Sequence, residues 1–305
     1  MDDNVASLRD RLLLAPQDTG AMVDLARLLE AAGDHPAGID LYQRALRVDP
    51  YQIAIILALA RAWSTLGDTG RARSWFARAL AIDPDCAEAA GAISGLADAD
   101  QLTPAYIRTL FDQYAPRFDD DLTGTLHYRA PQLVAAAIVR QGLAVRSADI
   151  LDLGCGTGLS GSALLPFARR LDGVDLSPRM VEQARKRGIY DTLAVGDAQE
   201  FLSAANRTWD LIAAVDMLNY LGDLMPVLAA AAACLNPGGL LAGTVEKGEG
   251  GVVLTAKRRY VHGADHLHAS LAAAGLTLLD MTEAELRIEG GEPVAGLVFV
   301  AGRRK

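Results

Sequence analysis

Two carboxylates bracket a run of bare backbone. The stretch DLGCGTG at 152–158 has glycine at every second position after Leu153, and it stands between the apolar residues Ile150-Leu151 and Leu159-Ser160-Gly161. Glycine there admits φ above zero and leaves no Cβ, so a ligand can lie against the main chain at a strand-to-helix turn. Asp175 ends the next apolar run 21 residues beyond Gly154, the place from which an acid accepts both ribose hydroxyls of an adenosine. A nicotinamide or flavin dinucleotide wants glycine at Leu159 and a small or apolar residue at Asp152, where a carboxylate would repel the pyrophosphate. The same acid suits a cationic amino group. The pair therefore points to a nucleoside carrying an amino-acid tail, S-adenosylmethionine.

The elements that must hold these residues are legible from residue 150 onward, where short apolar runs alternate with helical segments. Strands are expected at 150–153, 170–175, 191–195, 211–216, 239–246, 276–287 and 294–303. Such βαβα order predicts a parallel sheet with helices on both faces, an α/β Rossmann-like fold whose ligands bind beyond the carboxyl ends of the strands. The last two strands are joined by Glu289-Gly290-Gly291-Glu292-Pro293, too short for a parallel crossover, so they pair antiparallel. Upstream, a polar break at 98–102 is followed by Thr103-Pro104, an N-cap before a first-turn proline. Helices are expected over 106–114 and 131–141. The domains expected are residues 1–98, a helical lid and linker at 99–146, and the sheet domain at 147–305.

The first third repeats. Gly33-Asp34 and Gly67-Asp68 are 34 residues apart, as are Asp49-Pro50 and Asp83-Pro84. The offset pairs Met22 with Ile56, Leu25 with Leu59, Ala26 with Ala60, Leu29 with Trp63, Tyr42 with Phe76 and Ala45 with Ala79. These all-α hairpins resemble tetratricopeptide repeats, with Gly38 where alanine is usual. Two repeats expose too much apolar face alone, so amphipathic helices at 4–14 and 86–96 are expected to cap the stack. The unit offers either a shallow groove for a peptide or protein partner or a scaffold for dimerisation and packing.

From about Thr103 the chain resembles class I S-adenosylmethionine-dependent methyltransferases, and with its repeats it is similar to predicted methyltransferases that carry tetratricopeptide repeats. The stretches that carry the likeness are FDQYAPRFDDDL at 111–122, LHYRAP at 126–131, DLGCGTG, LDGVDLSPRM at 171–180, GDA at 196–198, WDLIAAVDMLNYL at 209–221, LNPGGLL at 235–241 and GEPVAGLVF at 291–299. The resemblance implies a seven-stranded sheet. It implies that Asp152 and the backbone at Gly154, Cys155 and Gly156 hold the methionine moiety, and Asp175 the ribose. Leu176 and Met180 would flank the adenine, Asp197 and the Ala198 amide would read its amino edge, and Asp216 and Met217 would line the methionine side near the methyl. Tyr114 and Arg129 would belong to the lid, with Arg129 meeting the cofactor carboxylate. The product would be S-adenosyl-L-homocysteine.

Other readings compete at single residues. Tyr114, Phe111 and Phe118 could be only a packed helix face; Cys155 a small turn residue with no basic neighbour to activate it; Asp119–121 a solvated loop; Asp210 a strand-start residue. An amine or hydroxyl acceptor must lose a proton, whereas a carboxylate need not. Candidate bases are Tyr220 and His262 first, with His127, Glu246 and Tyr260 behind them; His266 and His268 sit on an expected helix facing solvent. Three classes of function stay open: a methyltransferase acting on a peptide, protein or small molecule, a non-catalytic adaptor that senses S-adenosylmethionine, and an aminopropyl transferase, for which no acidic polyamine pocket is visible. A net charge of −9 and a pI near 5.1 argue against nucleic-acid or anionic-membrane partners. Three scattered cysteines offer neither a disulfide framework nor a metal spacing, and the acidic N-terminus is unlike a signal peptide, which suits a cytoplasmic protein.

Overall fold

The computed structural model describes residues 2–95 and 102–303, so the boundary expected between 98 and 99, and Leu96, fall outside the described residues. The chain divides into two compact units, Met1–Gln113 and Tyr114–Lys305. The first is helical: α1 (Asp2–Leu14), α2 (Thr19–Ala31), α3 (His35–Val48), α4 (Ile53–Thr65), α5 (Thr69–Ile82), α6 (Ala87–Gly95) and α7 (Pro104–Tyr114). Asp18, Asp34 and Asp68 start α2, α3 and α5 by accepting from the N–H groups of Ala21, Ala37 and Arg71 at 2.9, 3.2 and 2.8 Å, each cap contributing about 1 kcal/mol. Asp49 and Asp83 leave α3 and α5 in extended conformation, as the prolines after them require. Every residue paired by the 34-residue offset is buried in one apolar cluster.

Two details go beyond the repeat pattern. A Cβ at Gly38 would lie 2.8 Å from Glu30 Cγ, and Glu30 uses that space to accept from the Tyr42 hydroxyl at 2.9 Å. Helix α7 packs with the repeats: Tyr106 meets Trp63 edge-on at 6.4 Å, and the Arg71 guanidinium covers both rings.

The second unit opens with short helical turns, Ala115–Arg117, α8 (Phe118–Asp120) and a π-type turn at Asp121–Thr125, before α9 (Ala130–Arg140). Among the described residues nine strands follow: β1 (Ala148–Leu153), β2 (Ala168–Asp175), β3 (Thr192–Val195), β4 (Trp209–Ala214), β5 (Leu235–Lys247), β6 (Val252–Leu254), β7 (Tyr260–His262), β8 (Leu276–Glu289) and β9 (Glu292–Arg303). Helices α10 (Leu159–Leu164), α11 (Pro178–Lys186), α12 (Ala198–Ala204), α13 (Met225–Cys234) and α14 (Ala264–Ala273) connect them. The parallel strands run in the order β3-β2-β1-β4-β5, and β9 closes antiparallel on β5 and on β8. Successive strand residues enter opposite apolar layers: Ile150, Leu211, Ala213, Val298 and Val300 pack under α9, while Leu151, Ile212, Ala214, Leu297 and Phe299 join α13 and α14. Burial on both faces is why these strands read as continuous apolar runs.

The seven expected strands are present, and β6 and β7 add two more. The β6–β7 hairpin pairs β7 with β5 at Glu246 and Lys247, past the point where β4 has ended. Each of its strands is three residues long, too short for a periodic signal. Strand β4 stops at Ala214 rather than 216 because Asp216 turns to a φ of 55°.

Candidate active site

The glycine turn sits at the carboxyl end of β1, and Gly154, Gly156 and Gly158 all hold positive φ, at 74°, 53° and 92°. The amides of Gly154 and Cys155 both donate to Val174 O on β2, at 2.9 and 3.0 Å. Beside them Asp175 accepts from the Gly156 amide at 2.9 Å through Oδ2 and from the Ser177 amide at 2.8 Å through Oδ1. Ser177 caps α11, and Asp197 caps α12 by accepting from the amides of Gln199 and Glu200. Asp175, Leu176, Asp197 and Ala198 are half-buried at neighbouring strand ends, whereas Met180 is sealed. A Cβ at Gly196 would meet nothing, and one at Gly156 only the Phe118 ring at 3.9 Å. Bare backbone here faces open space.

Asp152 is placed differently from its neighbours. Its carboxylate is fully buried; Ser160 Oγ donates to both oxygens at 2.9 and 2.8 Å, and the Tyr190 hydroxyl donates at 2.7 Å. Burial raises its pKa to about 6 against the lowering pull of those two donors. The acid thus ties β1 to α10 and to Tyr190 and shows no surface of its own. Tyr190 escapes sequence reasoning, yet three glycines make its socket: a Cβ at Gly158, Gly161 or Gly173 would come 3.1, 2.1 or 2.9 Å from its ring or hydroxyl. Cys155 is buried and its thiol is pushed up, by burial first and then by Asp152, as fits a turn residue and not a nucleophile.

The segment after Tyr114 covers the turn. Tyr114 stacks edge-on against Phe118 at 5.2 Å, and burial followed by a hydrogen bond to Asp121 raises its phenol to about 12. Asp119, expected in a solvated loop, accepts instead from Thr157 Oγ1 and pairs with Arg187, while Arg187 Nε donates to Thr157 O at 2.6 Å. Arg129 caps α9 with its side chain exposed, its amide donating to Leu286 O on β8 at 2.8 Å. His127 is likewise exposed, with a φ of 45°.

Beyond β4 and β5 lies a buried charge network. Arg287 from β8 donates to both oxygens of Asp216, at 3.1 and 3.0 Å, and also pairs with Glu246. Arg259 donates to Glu246 at 2.6 Å and pairs with Glu289. Asn219 links Asp216 to the Glu246 amide. Met217 folds onto the turn, so close that a Cβ at Gly154 would sit 2.6 Å from its Cγ. Tyr220 and Tyr128 have phenols raised by burial first and Asp216 second.

The candidate bases do not gather around one point. Glu246 is held by two arginines, and Tyr260 packs against Gly222. His262 is sealed at 0% exposure beside the backbone of Leu218 and Leu221, and its ring stacks on His266 at 5.8 Å. Burial, then the neighbouring imidazole, lowers its pKa to about 4. The expectation that His262 faces an acceptor therefore meets a closed wall, and His266, expected in solvent, is half-buried; His268 is exposed. Asp210 is the strand-start residue expected, accepting from the Asp149 amide at 2.9 Å.

Among the described residues no cluster of three or more His, Cys, Asp or Glu is disposed to hold a metal, and no helix is long and apolar enough to cross a membrane. Residues 150–239 match the methyltransferase domain family, and residues 29–96 match the tetratricopeptide repeat family. Human methyltransferase-like protein 27 is 42% identical over 113 residues, 36% of this chain and 45% of that protein. The chain thus spans less than half the length of this curated relative. Among solved structures, 1,6-didemethyltoxoflavin-N1-methyltransferase of Burkholderia thailandensis, with bound S-adenosylhomocysteine, superposes with a TM-score of 0.54 at 22% identity, covering 68% of this chain and 94% of that one. The cyclase SpnF superposes with a TM-score of 0.55 at 19% identity, covering 67% and 98%. The chain is thus similar to tetratricopeptide repeats over residues 29–96 and to a methyltransferase domain over residues 150–239.

Proposed function

We propose that the protein binds S-adenosylmethionine at the glycine turn and transfers its methyl group to a nitrogen or oxygen of a peptide, protein or small-molecule acceptor, releasing S-adenosylhomocysteine. The observation that carries this reading is Asp175, whose carboxylate is anchored on the amide of Gly156, a left-handed glycine at which a Cβ would meet only the Phe118 ring at 3.9 Å. A carboxylate so placed accepts ribose hydroxyls, and with Asp152 behind the turn it opposes a pyrophosphate. In this reading Leu176, Asp197 and the Ala198 amide meet the adenine, with Met180 backing α11 from below. Asp216 and Met217 border the methionine end with the backbone at Gly154, Cys155 and Gly156. Tyr114 and Phe118 exclude water, and Arg129 stands at the lid's edge within reach of a carboxylate.

When bound, the cofactor supplies an activated sulfonium methyl, so the protein's task is to hold an acceptor lone pair in line within a dry pocket. Tyr220 and Tyr128 keep their protons at neutral pH and act as donors that orient the acceptor. The repeats recruit that acceptor or mediate self-association. A second reading, a non-catalytic adaptor that binds the cofactor, is favoured by the sealing of His262 and by a neighbour on the same fold that is named a cyclase. Calorimetry should show uptake of S-adenosylhomocysteine and not of NAD, and the reverse would end both readings. Incubation with methyl-labelled cofactor and cell extract separates them, because an adaptor transfers no label.

A further inference from the structure

We infer that Arg287, at the far side of the sheet on β8, is a positioning residue that sets the cofactor end of the site by holding Asp216 in place; this rests on the reading just proposed. Asp216 occupies the left-handed region at a φ of 55°, which costs a non-glycine residue about 1–2 kcal/mol unless its surroundings hold it there. Three groups hold it: the Thr244 hydroxyl accepts from its amide at 2.8 Å, Asn219 donates to Oδ1, and one Arg287 nitrogen reaches both carboxylate oxygens. That turn is what lays Met217 on the bare Cα of Gly154. The conformation of the glycine turn and the end of β4 are therefore one packed unit, and Arg287 is its anchor.

The anchor is also shared. Arg287 is 4% exposed, and its other terminal nitrogen pairs with Glu246 on β5, so one guanidinium fixes the ends of β4 and β5 relative to β8. Only a planar fork can do both; an ammonium on the same stem reaches one carboxylate at a time. Arg259 is the internal comparison, since it engages Glu246 and Glu289 and is not paired with Asp216.

The experiment is calorimetric titration of the full-length protein with S-adenosylhomocysteine, well below each variant's melting temperature. Arg287→Lys should bind about tenfold more weakly or worse, the equivalent of one charge-assisted hydrogen bond, while Arg259→Met stays within about twofold of wild type at a comparable loss of Tm. Should Arg287→Lys not fold, Arg287→Gln keeps a neutral donor that can reach one Asp216 oxygen but not Glu246 as well, leaves Asp216 itself unchanged, and should show the same weakening. Wild-type affinity in a folded Arg287 variant, or equal weakening in Arg259→Met, overturns the inference. A wild-type protein that takes up no S-adenosylhomocysteine overturns instead the reading on which it rests.

Discussion

The Tyr190 hydroxyl donates to Asp152 at 2.7 Å from a socket walled by Gly158, Gly161 and Gly173. Gly158 and Gly161 therefore serve a side chain of the protein itself, Gly154 lies under Met217, and Gly156 is the glycine of the turn left open to a ligand. Alanine at 161 would bring a Cβ to 2.1 Å from that hydroxyl and push the ring out. Gly161→Ala should cost roughly 1–3 kcal/mol through overpacking; because the ring Cζ also stands 2.5 Å from that Cβ, Tyr190→Phe should not rescue it in thermal unfolding, whereas in a Tyr190→Leu background the same substitution should cost much less.

Asp152 and His262 titrate with opposite consequences. Burial raises Asp152 from 3.8 to about 6, so its stabilising contribution is complete below pH 3.8 and is lost as pH rises through 6. His262 is lowered from 6.5 to about 4, so its contribution is complete above pH 6.5 and is lost as pH falls through 4. Each integrates to roughly 3 kcal/mol, and over the shared window the two largely cancel. Asp152→Asn should thus leave a protein that loses stability as the buffer goes from pH 6.5 to 4, and His262→Phe one that loses it from pH 4 to 6. Denaturant unfolding at half-unit pH steps checks both signs, and identical slopes in the two variants would contradict the assignment.

The turn could be found in the sequence because a strand, alternating glycines and a helix are consecutive, and Asp175 because it ends the very next strand. The repeats were legible for a similar reason, since Asp34 and Asp68 cap helices at a fixed offset. What stayed hidden depends on distance along the chain. Arg287 meets Asp216 across 71 residues and Arg187 meets Asp119 across 68, and no local pattern marks either partner. Composition gave no sign that His262 would be sealed, since burial of a polar ring follows from the β6–β7 hairpin, whose strands are too short to be read. Tyr190 left a trace only in glycines whose common purpose needs the fold to become visible.

In the repeats, Gly38 poses a contest of known terms. Alanine in a helix interior gains about 1 kcal/mol over glycine, but its Cβ would stand 2.8 Å from Glu30 Cγ and 3.1 Å from Ala26 O, displacing the carboxylate that accepts from Tyr42. Gly38→Ala should be close to neutral in the wild type and stabilising by about 1 kcal/mol in a Glu30→Ala background. A double-mutant cycle measured by denaturant unfolding reads that coupling; additivity would show that Glu30 does not explain the glycine.

The latch between Asp119, Thr157 and Arg187 determines how readily the segment Ala115–Arg117 and its continuation through 125 leave the glycine turn. The ion pair is partly exposed, with side chains 45% and 26% accessible, so screening limits it to about 1 kcal/mol. That is too little to hold the unit together and enough to shift an opening equilibrium about fivefold. Asp119→Asn keeps an acceptor for the Thr157 hydroxyl and removes the charge facing Arg187. Amides of 115–125 should then exchange several-fold faster while those of β1 and β4 keep their protection. Addition of S-adenosylhomocysteine should restore the slower rate if the segment closes over the ligand. Exchange that accelerates equally in β1 would mean that the substitution loosens the whole sheet, and the latch would then have no separate existence.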